Sequence, residues 1–305
     1  MDVRGKFIID SEQIYRPKYN IGPFSNFVQD TPNSKGNFES FFSSLFPDKK
    51  ICLTLSGKQA IGLALEQLNL GQEDCVTICT TSGNRYISGC VTREIEKFCS
   101  WSMKIEENTQ VLFVNHEFGF PFEALKALKA QFDFPIIEDV AHGLFSQNTE
   151  KSVGTIGDFV ICSFPKIFSL QIGGALLYSD KYNIQSDLTR PEIQYLNDSL
   201  LGHCLSKEEL IKKRHSNYRY LEKALGLLGA KSFFNLTELI NPGVYVFTFD
   251  GFKQWDELKI FMQSNGVESS VFYGEEAFFI PVHQNLIDLD LDYFVTLIEY
   301  FVKER

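Results

Sequence analysis

The chain has 305 residues, of which 44% are hydrophobic, and a formal net charge of −10 at pH 7. This length allows a sizeable core in one or two domains. The negative charge, without a block rich in lysine and arginine, argues against a nucleic-acid partner bound through its phosphates. No stretch is long or apolar enough to span a membrane, and residues 1–6 lack the apolar core of a signal peptide, so we expect a cytoplasmic protein.

Short apolar segments alternate with amphipathic segments over much of the chain. This alternation is typical of an α/β fold in which a mostly parallel central sheet is flanked by helices. The predicted strands span residues 51–55, 75–80, 110–115, 135–139, 158–163 and 174–178. The predicted helices span residues 58–69, 122–131 and 206–228.

The pattern changes from about residue 240 onward. A strand, a helix, a second strand and a closing helix are predicted at 244–248, 253–265, 268–272 and 289–303. This order is typical of a smaller α+β domain at the C-terminus. The predicted organisation is an irregular N-terminal arm at 1–35, a large α/β domain at 36–205 and a small domain at 206–305.

The seven cysteines include no Cys-x-x-Cys pair. An odd number without such a pair argues against a disulfide framework and against a zinc site, so we expect no bound metal. Cys52, Cys75, Cys79 and Cys162 lie in predicted strands, where cysteine behaves as a small core residue.

Residues 53–60 read Leu-Thr-Leu-Ser-Gly-Lys-Gln-Ala, an apolar run followed by a small polar turn and a helical pattern. A strand, turn and helix in this order leave free backbone N–H groups that can bind an anion. The turn is not a Walker A loop, because Cys52 and Gln59 replace residues that such a loop requires. An ordinary helix cap by Ser56 is the alternative interpretation.

Two further motifs carry side chains that could take part in catalysis. Residues 136–142 read Ile-Ile-Glu-Asp-Val-Ala-His, and residues 163–174 read Ser-Phe-Pro-Lys-Ile-Phe-Ser-Leu-Gln-Ile-Gly-Gly. The lysine of the second motif can form a Schiff base, and an acid of the first can pair with a pyridinium nitrogen. An anion-binding turn, an acid and a lysine in this order indicate an enzyme that uses pyridoxal phosphate (PLP).

These motifs resemble those of the DegT/DnrJ/EryC1/StrS aminotransferases, fold-type I PLP enzymes that act mostly on keto sugars attached to nucleotides. The resemblance runs over most of residues 35–180. Ser56-Gly57-Lys58-Gln59-Ala60 is similar to the Ser-Gly-Thr-x-Ala phosphate turn of that family. The other similar segments are the first helix at 37–42, the His-x-x-Gly strand end at 114–119, the Glu-Asp-x-Ala-Gln/His segment at 138–142, the Val-Gly-Thr-x-Gly-Asp run at 153–158 and a C-terminal segment at 280–286.

The resemblance implies a role for each residue of the predicted site. Lys166 would anchor PLP as a Schiff base and then act as the general base, while Asp139 would keep the pyridine nitrogen protonated. His142 would hydrogen-bond the phenolic oxygen of PLP, and a buried structural histidine is the alternative for that residue.

The same resemblance implies a phosphate site. Backbone N–H groups of Ser56, Gly57 and Lys58 would bind the phosphate, and the Ser163 hydroxyl would add a donor. The family prefers threonine at the position of Lys58, so the lysine charge would either add phosphate affinity or be solvated.

Several departures from the family pattern surround the site. Only Pro165 separates the Ser163-Phe164 pair from Lys166, so either the turn is tighter than usual or Ser163 points elsewhere. Tyr86 would supply the ring that stacks on PLP only if its loop is rearranged. Arg85 would grip a substrate phosphate or carboxylate, or would form a surface ion pair.

The segment after residue 180 is shorter than in the family, which carries a Gly-x-Asn-x-Arg motif there for the PLP of the partner subunit. Asn217-Tyr218-Arg219 has a similar look, but it lies in the helical run 212–218, so we predict an ordinary helix. The substrate pocket should therefore be more open or be completed differently.

The resemblance implies a homodimeric PLP-dependent aminotransferase with small-molecule substrates. It would move an amino group from glutamate to a nucleotide-linked keto sugar during synthesis of a surface polysaccharide or another glycoconjugate. One alternative is a PLP-dependent sugar dehydratase, although that branch of the family replaces the lysine by histidine. Another alternative is a non-catalytic relative that acts as a partner subunit or binding protein.

Overall fold

The computed structural model describes residues 17–24 and 38–304. The helices are α1 (Phe38–Leu45), α2 (Gly57–Glu66), α3 (Gly89–Ile95), α4 (Leu125–Gln131), α5 (Arg190–Leu205), α6 (Lys207–Gly226), α7 (Trp255–Ser264) and α8 (Asp288–Glu304). The strands are β1 (Lys50–Thr54), β2 (Cys75–Thr80), β3 (Ser100–Ser102), β4 (Thr109–Asn115), β5 (Ile136–Asp139), β6 (Phe159–Ser163), β7 (Gly174–Tyr178), β8 (Ala230–Ser232), β9 (Val244–Phe249), β10 (Ser270–Phe272) and β11 (Ala277–Pro281).

Seven strands form the large sheet, in the order β1-β7-β6-β5-β4-β2-β3. Strands β6, β5, β4, β2 and β3 are parallel, whereas β7 is antiparallel to both of its neighbours. The central strands are buried almost throughout, because helices cover both faces of the sheet, and this explains their continuous apolar sequence. The predicted mostly parallel sheet is confirmed.

Four strands form a second, antiparallel sheet in the order β10-β11-β9-β8. Its core includes Tyr218 and Leu221 of α6, Phe247 of β9 and Phe294 of α8, all fully buried. Phe120 of the connection that follows β4 also joins this core, so the two sheets are packed into continuous structure. The predicted smaller α+β unit is confirmed, while its exact boundary at residue 206 stays a prediction.

Several elements were not predicted, notably α3, α5, β3, β8 and β11. Helix α5 buries Leu196, Leu200 and Cys204, which lie four residues apart on one face. Its start is capped by Glu192, whose carboxylate accepts a hydrogen bond from the Thr189 backbone N–H at 2.7 Å. Within residues 17–24 and 38–304, none of the helices combines the length and the apolar character that a membrane span needs.

The cysteines are unpaired, and Cys52, Cys75 and Cys162 are buried in the large sheet as expected. Cys79 is only partly buried.

The predicted N-terminal arm lies largely outside the described residues, since only 17–24 of it are described. Backbone at Tyr19 forms a parallel bridge with Val267 in the small domain. A methyl group at Gly22 would come within 2.5 Å of the Pro165 carbonyl oxygen, so this glycine allows the segment to pack closely against the turn that carries Lys166.

Candidate active site

A cavity of about 600 Å³ lies where the parallel strands end. This edge of an open α/β sheet is where such folds bind ligands. The predicted site residues that line the cavity are Ser56, Gly57, Lys58, Tyr86, Asp139, His142, Ser163 and Lys166. Arg85 is exposed and does not line the cavity, so its proposed grip on substrate stays a prediction.

Lys166 lies in a short, tight turn directly after β6. Strand β6 ends at Ser163, and Phe164–Lys166 forms a single 3₁₀ turn whose proline occupies the first turn of the helix. A methyl group at Gly57 would lie 3.0 Å from the Ser163 Cβ, which places Ser163 against the start of α2. Of the two possibilities left open by the spacing, the structure therefore shows the tight turn with Ser163 still on the cavity wall.

Asp139 is the last residue of β5 and is only 8% exposed. Its Oδ1 accepts a hydrogen bond from the Ala141 backbone N–H at 2.9 Å. Burial raises the pKa of this carboxyl group, although the Ala141 hydrogen bond and electrostatic interactions with His116 and Lys166 act in the opposite direction. A protonated ring nitrogen at this carboxylate would supply the charge partner that favours the ionised form.

Glu138 has a different role, because successive side chains on a strand point to opposite faces. Its buried carboxylate accepts a hydrogen bond from His116 Nε2 at 3.1 Å. It also accepts backbone N–H hydrogen bonds from Gly154 at 2.8 Å, Ile156 at 3.1 Å and Gly157 at 2.5 Å. Glu138 thus anchors the loop before β6, and the acidic pair divides into one structural and one cavity-lining residue.

One ring nitrogen of His142 has no hydrogen-bond partner in the described part of the chain. Its Nδ1 is buried without a hydrogen bond, and its ring centroid lies 6.0 Å from that of Phe118. Burial holds the pKa of His142 well below its usual value, with further contributions from the charges of Lys166 and Arg214. His142 lines the cavity, while its Nδ1 lies against the backbone at Gly243, so its predicted role in binding the cofactor stays a prediction.

The N-terminus of α2 lies on the cavity wall, and anion binding there stays a prediction. Ser56 caps the helix by accepting a hydrogen bond from the Gln59 N–H at 3.2 Å, so the helix-cap interpretation is confirmed. The next residues, Gly57 and Lys58, line the cavity with the first-turn N–H groups that a helix leaves free. The Lys58 ammonium lies 3.2 Å from a carboxylate oxygen of Glu94, so its charge is paired within the protein.

Aromatic rings cover another part of the cavity. Tyr86 lines it and packs against Phe272 and Phe279, with ring centroids 5.6 and 6.0 Å apart. Phe118 also lines it, in a left-handed backbone conformation (φ 53°) that non-glycine residues rarely adopt. Sequence reasoning recognised the segment 114–119 but missed Phe118, because a positive φ at phenylalanine leaves no signal in the sequence.

Other lining residues were also missed. Glu117 is buried beside Phe118, and burial raises the pKa of its carboxyl group. Its Oε2 accepts a hydrogen bond from the Ser82 N–H at 2.6 Å. Ile21 of the N-terminal segment lines the cavity, and its backbone N–H donates to the Glu268 carboxylate at 2.6 Å. The cavity is therefore completed by residues far apart in the sequence.

The region after β7 contains α5 and α6, and the predicted ordinary helix at Asn217 is confirmed. Asn217 donates hydrogen bonds to the carbonyl oxygens of Val282 and His283 at 3.2 and 2.9 Å. Its side chain is therefore committed to the small domain.

The residues present fit PLP. An amine at Lys166, a buried acid at Asp139, an unsatisfied imidazole at His142 and the start of α2 share one cavity. A Cβ at Gly174 would lie 2.7 Å from the Gly57 nitrogen, so the cradle beside α2 exists only because β7 begins with glycine.

Residues 100–186 match the sequence model of the DegT/DnrJ/EryC1/StrS aminotransferase family. The matched segment contains Asp139, His142, Ser163 and Lys166. This match confirms the family resemblance. A search of curated proteins found no match to the chain.

Solved structures with the same fold include three with a TM-score of 0.70. The aminotransferase TlmJ from Streptoalloteichus hindustanus is 15% identical, with 89% of this chain and 92% of that chain covered. Spr1654 from Streptococcus pneumoniae in its PMP form, a proposed sugar aminotransferase, is 16% identical, with 96% and 99% covered. A 3-amino-5-hydroxybenzoic acid synthase is 14% identical, with 88% and 90% covered. These likenesses confirm the predicted fold-type I architecture.

Proposed function

We propose that this protein is a PLP-dependent aminotransferase that moves an amino group from glutamate to a nucleotide-linked keto sugar. We place this reaction in the synthesis of a surface polysaccharide or another glycoconjugate. The family match supports the enzyme class, and related folds solved in PLP and PMP forms support the cofactor. The sugar acceptor is supported by the family and by sugar aminotransferases among the similar structures.

One observation carries the proposal: a single cavity brings Lys166 and Asp139 to the start of α2. Asp139 and Lys166 lie 82 and 109 positions after Gly57 in the sequence, and the three meet only because the parallel strands end at the same edge. An amine, an acid and an anion-binding helix end are the groups that PLP chemistry requires of a protein.

Each group has a defined task. When bound, PLP supplies an electron-withdrawing ring that stabilises the charge left on a substrate carbon after its proton is removed. Lys166 Nζ takes that proton and returns it. The Asp139 carboxylate holds a proton on the ring nitrogen, and the N–H groups of Gly57 and Lys58 bind the phosphate. The His142 imidazole, on the cavity wall, would bind an oxygen of the cofactor ring.

The proposal includes a homodimer, since PLP sites of this fold are usually built at a subunit interface. Light scattering of the purified protein checks this part independently of activity.

Spectroscopy with glutamate as the donor tests the proposed function. Purified protein with added PLP should absorb visible light, lose that absorbance with glutamate, and release 2-oxoglutarate. Lys166→Ala should lose the covalently attached cofactor, as seen by mass spectrometry after borohydride reduction. Lys259→Ala is the matched control, because Lys259 also lines the cavity but donates to the Tyr273 hydroxyl at 3.2 Å.

Other outcomes would contradict the proposal in distinct ways. A dehydratase would release no keto acid from glutamate. A non-catalytic relative would show little cofactor absorbance even with excess PLP, and Lys166→Ala would leave its properties unchanged. If the donor reaction occurs, a panel of nucleotide-linked keto sugars, assayed for amine formation, tests the acceptor class.

A further inference from the structure

Arg214 of α6 is a large charged side chain that is fully buried. Its Nη2 donates hydrogen bonds to the carbonyl oxygens of Lys166 at 3.0 Å and Ile167 at 3.2 Å. Its Nη1 donates to the Pro242 carbonyl at 3.3 Å, and its Nε donates to Gln284 Oε1 at 2.9 Å. One guanidinium therefore joins the Lys166 turn to two segments that flank strands of the small domain.

The acceptors around Arg214 are all neutral. Burial lowers the pKa of its guanidinium to about 9, which leaves it charged at neutral pH, and no carboxylate of the described residues contributes to that value. Burying a cation without a counter-ion is costly, and well-packed apolar residues often replace buried charges without loss of stability. General stabilisation is therefore a weak reason for an arginine at this position.

The contacts of Arg214 are reinforced by its neighbours. Gln284 Nε2 donates to the Ile167 carbonyl at 2.9 Å, so this oxygen receives two hydrogen bonds from the same cluster. Asn217, one helical turn after Arg214, ties α6 to the backbone of Val282 and His283. Helix α6 and the 282–284 segment thus form a fixed support behind the turn.

We propose that Arg214 is a positioning residue that fixes the backbone from which the Lys166 side chain extends. This inference rests on the proposed function, in which Lys166 Nζ must reach both the cofactor and a substrate carbon. Because Arg214 holds the backbone oxygens of Lys166 and of the next residue, its loss allows the turn to shift. Misplacing a reacting group by about 1 Å can cost roughly 10²-fold in rate. The planar fork of arginine can satisfy several carbonyl groups at once, which the single ammonium of lysine does less well.

Two variants of Arg214 and one matched control test the proposal. Arg214→Met removes both the planar guanidinium donors and the positive charge, whereas Arg214→Lys keeps the positive charge and loses the planar arrangement of donors. Arg219→Met is the control, because Arg219 lies on the same helix but pairs with Glu222 near the surface. Measurements are PLP affinity by absorbance titration, the reduced adduct at Lys166 by mass spectrometry, and amide hydrogen exchange of the cofactor-free protein.

We expect Arg214→Met to weaken PLP binding by roughly tenfold or more, as displacement of the attachment point would require. Exchange at the Ile167 and Phe168 amides, which donate to the Phe164 carbonyl in the turn, should rise by a similar factor while β4 and β5 stay protected. Arg214→Lys should recover part of both effects, and Arg219→Met should match the wild type.

Unchanged PLP affinity and unchanged exchange in Arg214→Met would overturn the inference. An even rise of exchange across the large domain would also overturn it, since that result indicates a general stabiliser. If Arg214→Met does not fold, Arg214→Lys decides: wild-type affinity and exchange oppose the inference, and a local loss supports it. If the wild type itself attaches no PLP at Lys166, the proposed function fails, whereas the exchange of the cofactor-free variants still tests the role of Arg214 in the turn.

Discussion

Glu138 and Asp139 are adjacent acids on β5, and replacing each by its amide separates a structural carboxylate from a cavity-lining one. Glu138 accepts hydrogen bonds from one imidazole and three backbone N–H groups. Among the described residues, Asp139 accepts one side-chain hydrogen bond, from the Ala141 N–H. We expect Glu138→Gln to lower the free energy of unfolding and Asp139→Asn to leave it nearly unchanged.

The magnitude for Glu138→Gln follows from the two oxygens. Oε2 serves His116 and Gly154, while Oε1 serves Ile156 and Gly157. An amide group keeps one acceptor oxygen and turns an NH₂ group toward the donors of the other, so two hydrogen bonds are lost whichever way it is oriented. Hydrogen bonds to a charged group contribute about 1.5–3 kcal/mol each, so the loss should be roughly 3–6 kcal/mol.

Asp139→Asn can keep the Ala141 hydrogen bond through its amide oxygen. Because burial raises the pKa of Asp139, the cofactor-free protein gains little from the negative charge at this position. The free energy of unfolding should therefore change by less than about 1 kcal/mol, which is typical when no buried partner is lost. With PLP bound, the glutamate reaction should slow by about 10²-fold or more, because the ring nitrogen loses the carboxylate that keeps it protonated.

Urea denaturation of the two cofactor-free variants measures the changes in the free energy of unfolding. Stopped-flow absorbance with glutamate measures the rate of the PLP-bound Asp139→Asn variant. A loss below about 1 kcal/mol in Glu138→Gln would show that its four contacts are not the anchor described above. Unchanged turnover in Asp139→Asn would remove that residue from the mechanism.

Two further predictions concern pH dependence and the anion cradle. Burial, together with the charge of Arg214, lowers the pKa of His283 from 6.5 to about 3, so its contribution to stability is fully present above pH 6.5 and is lost as the pH falls toward 3. Between pH 7 and pH 5 the free energy of unfolding should fall by about 2 kcal/mol more in the wild type than in His283→Gln, as measured by chemical denaturation. The same pH dependence of the unfolding free energy in both proteins would contradict this assignment. Gly174→Ala should lower both stability and PLP affinity, because the new methyl group would lie 2.6 Å from the Ser56 carbonyl carbon. Gly226→Ala at the end of α6 should be neutral or stabilising by up to about 1 kcal/mol, because no described atom outside the adjacent helix backbone lies within 4 Å of the new methyl group. Wild-type PLP affinity in Gly174→Ala would show that the cradle tolerates a side chain.

The strands of the large sheet were predicted closely because their burial on both faces leaves a continuous apolar signal. The 75–80 and 174–178 strands agree with the structure to the residue, and 135–139 differs by one position at its start. Helix α5 and strand β11 were missed. The apolar face of α5 is interrupted by polar residues, and β11 follows a turn only four residues after β10, so neither leaves a long periodic pattern.

The short spacing between Ser163 and Lys166 does not by itself determine the conformation of the turn. The sequence allowed either a tight turn or a reoriented Ser163, and the choice depended on contacts with Gly57 and on the pairing of β6 with β7. Gly57 and Ser163 are more than a hundred residues apart in the sequence, so no local pattern encodes their contact.

The local chemistry follows from the amino-acid sequence: an amine at Lys166, an acid at Asp139 at the end of a buried strand, and a helix start at Gly57. Each follows from the residue type and from the elements on either side of it. Three features depend on the folded chain: these groups share one cavity, Lys58 pairs with Glu94, and Arg214 binds the Lys166 turn from the small domain. The physical reason is that burial and hydrogen bonding depend on distances in space, and the carbonyl oxygens that Arg214 binds at the turn lie 47 and 48 residues away in the sequence.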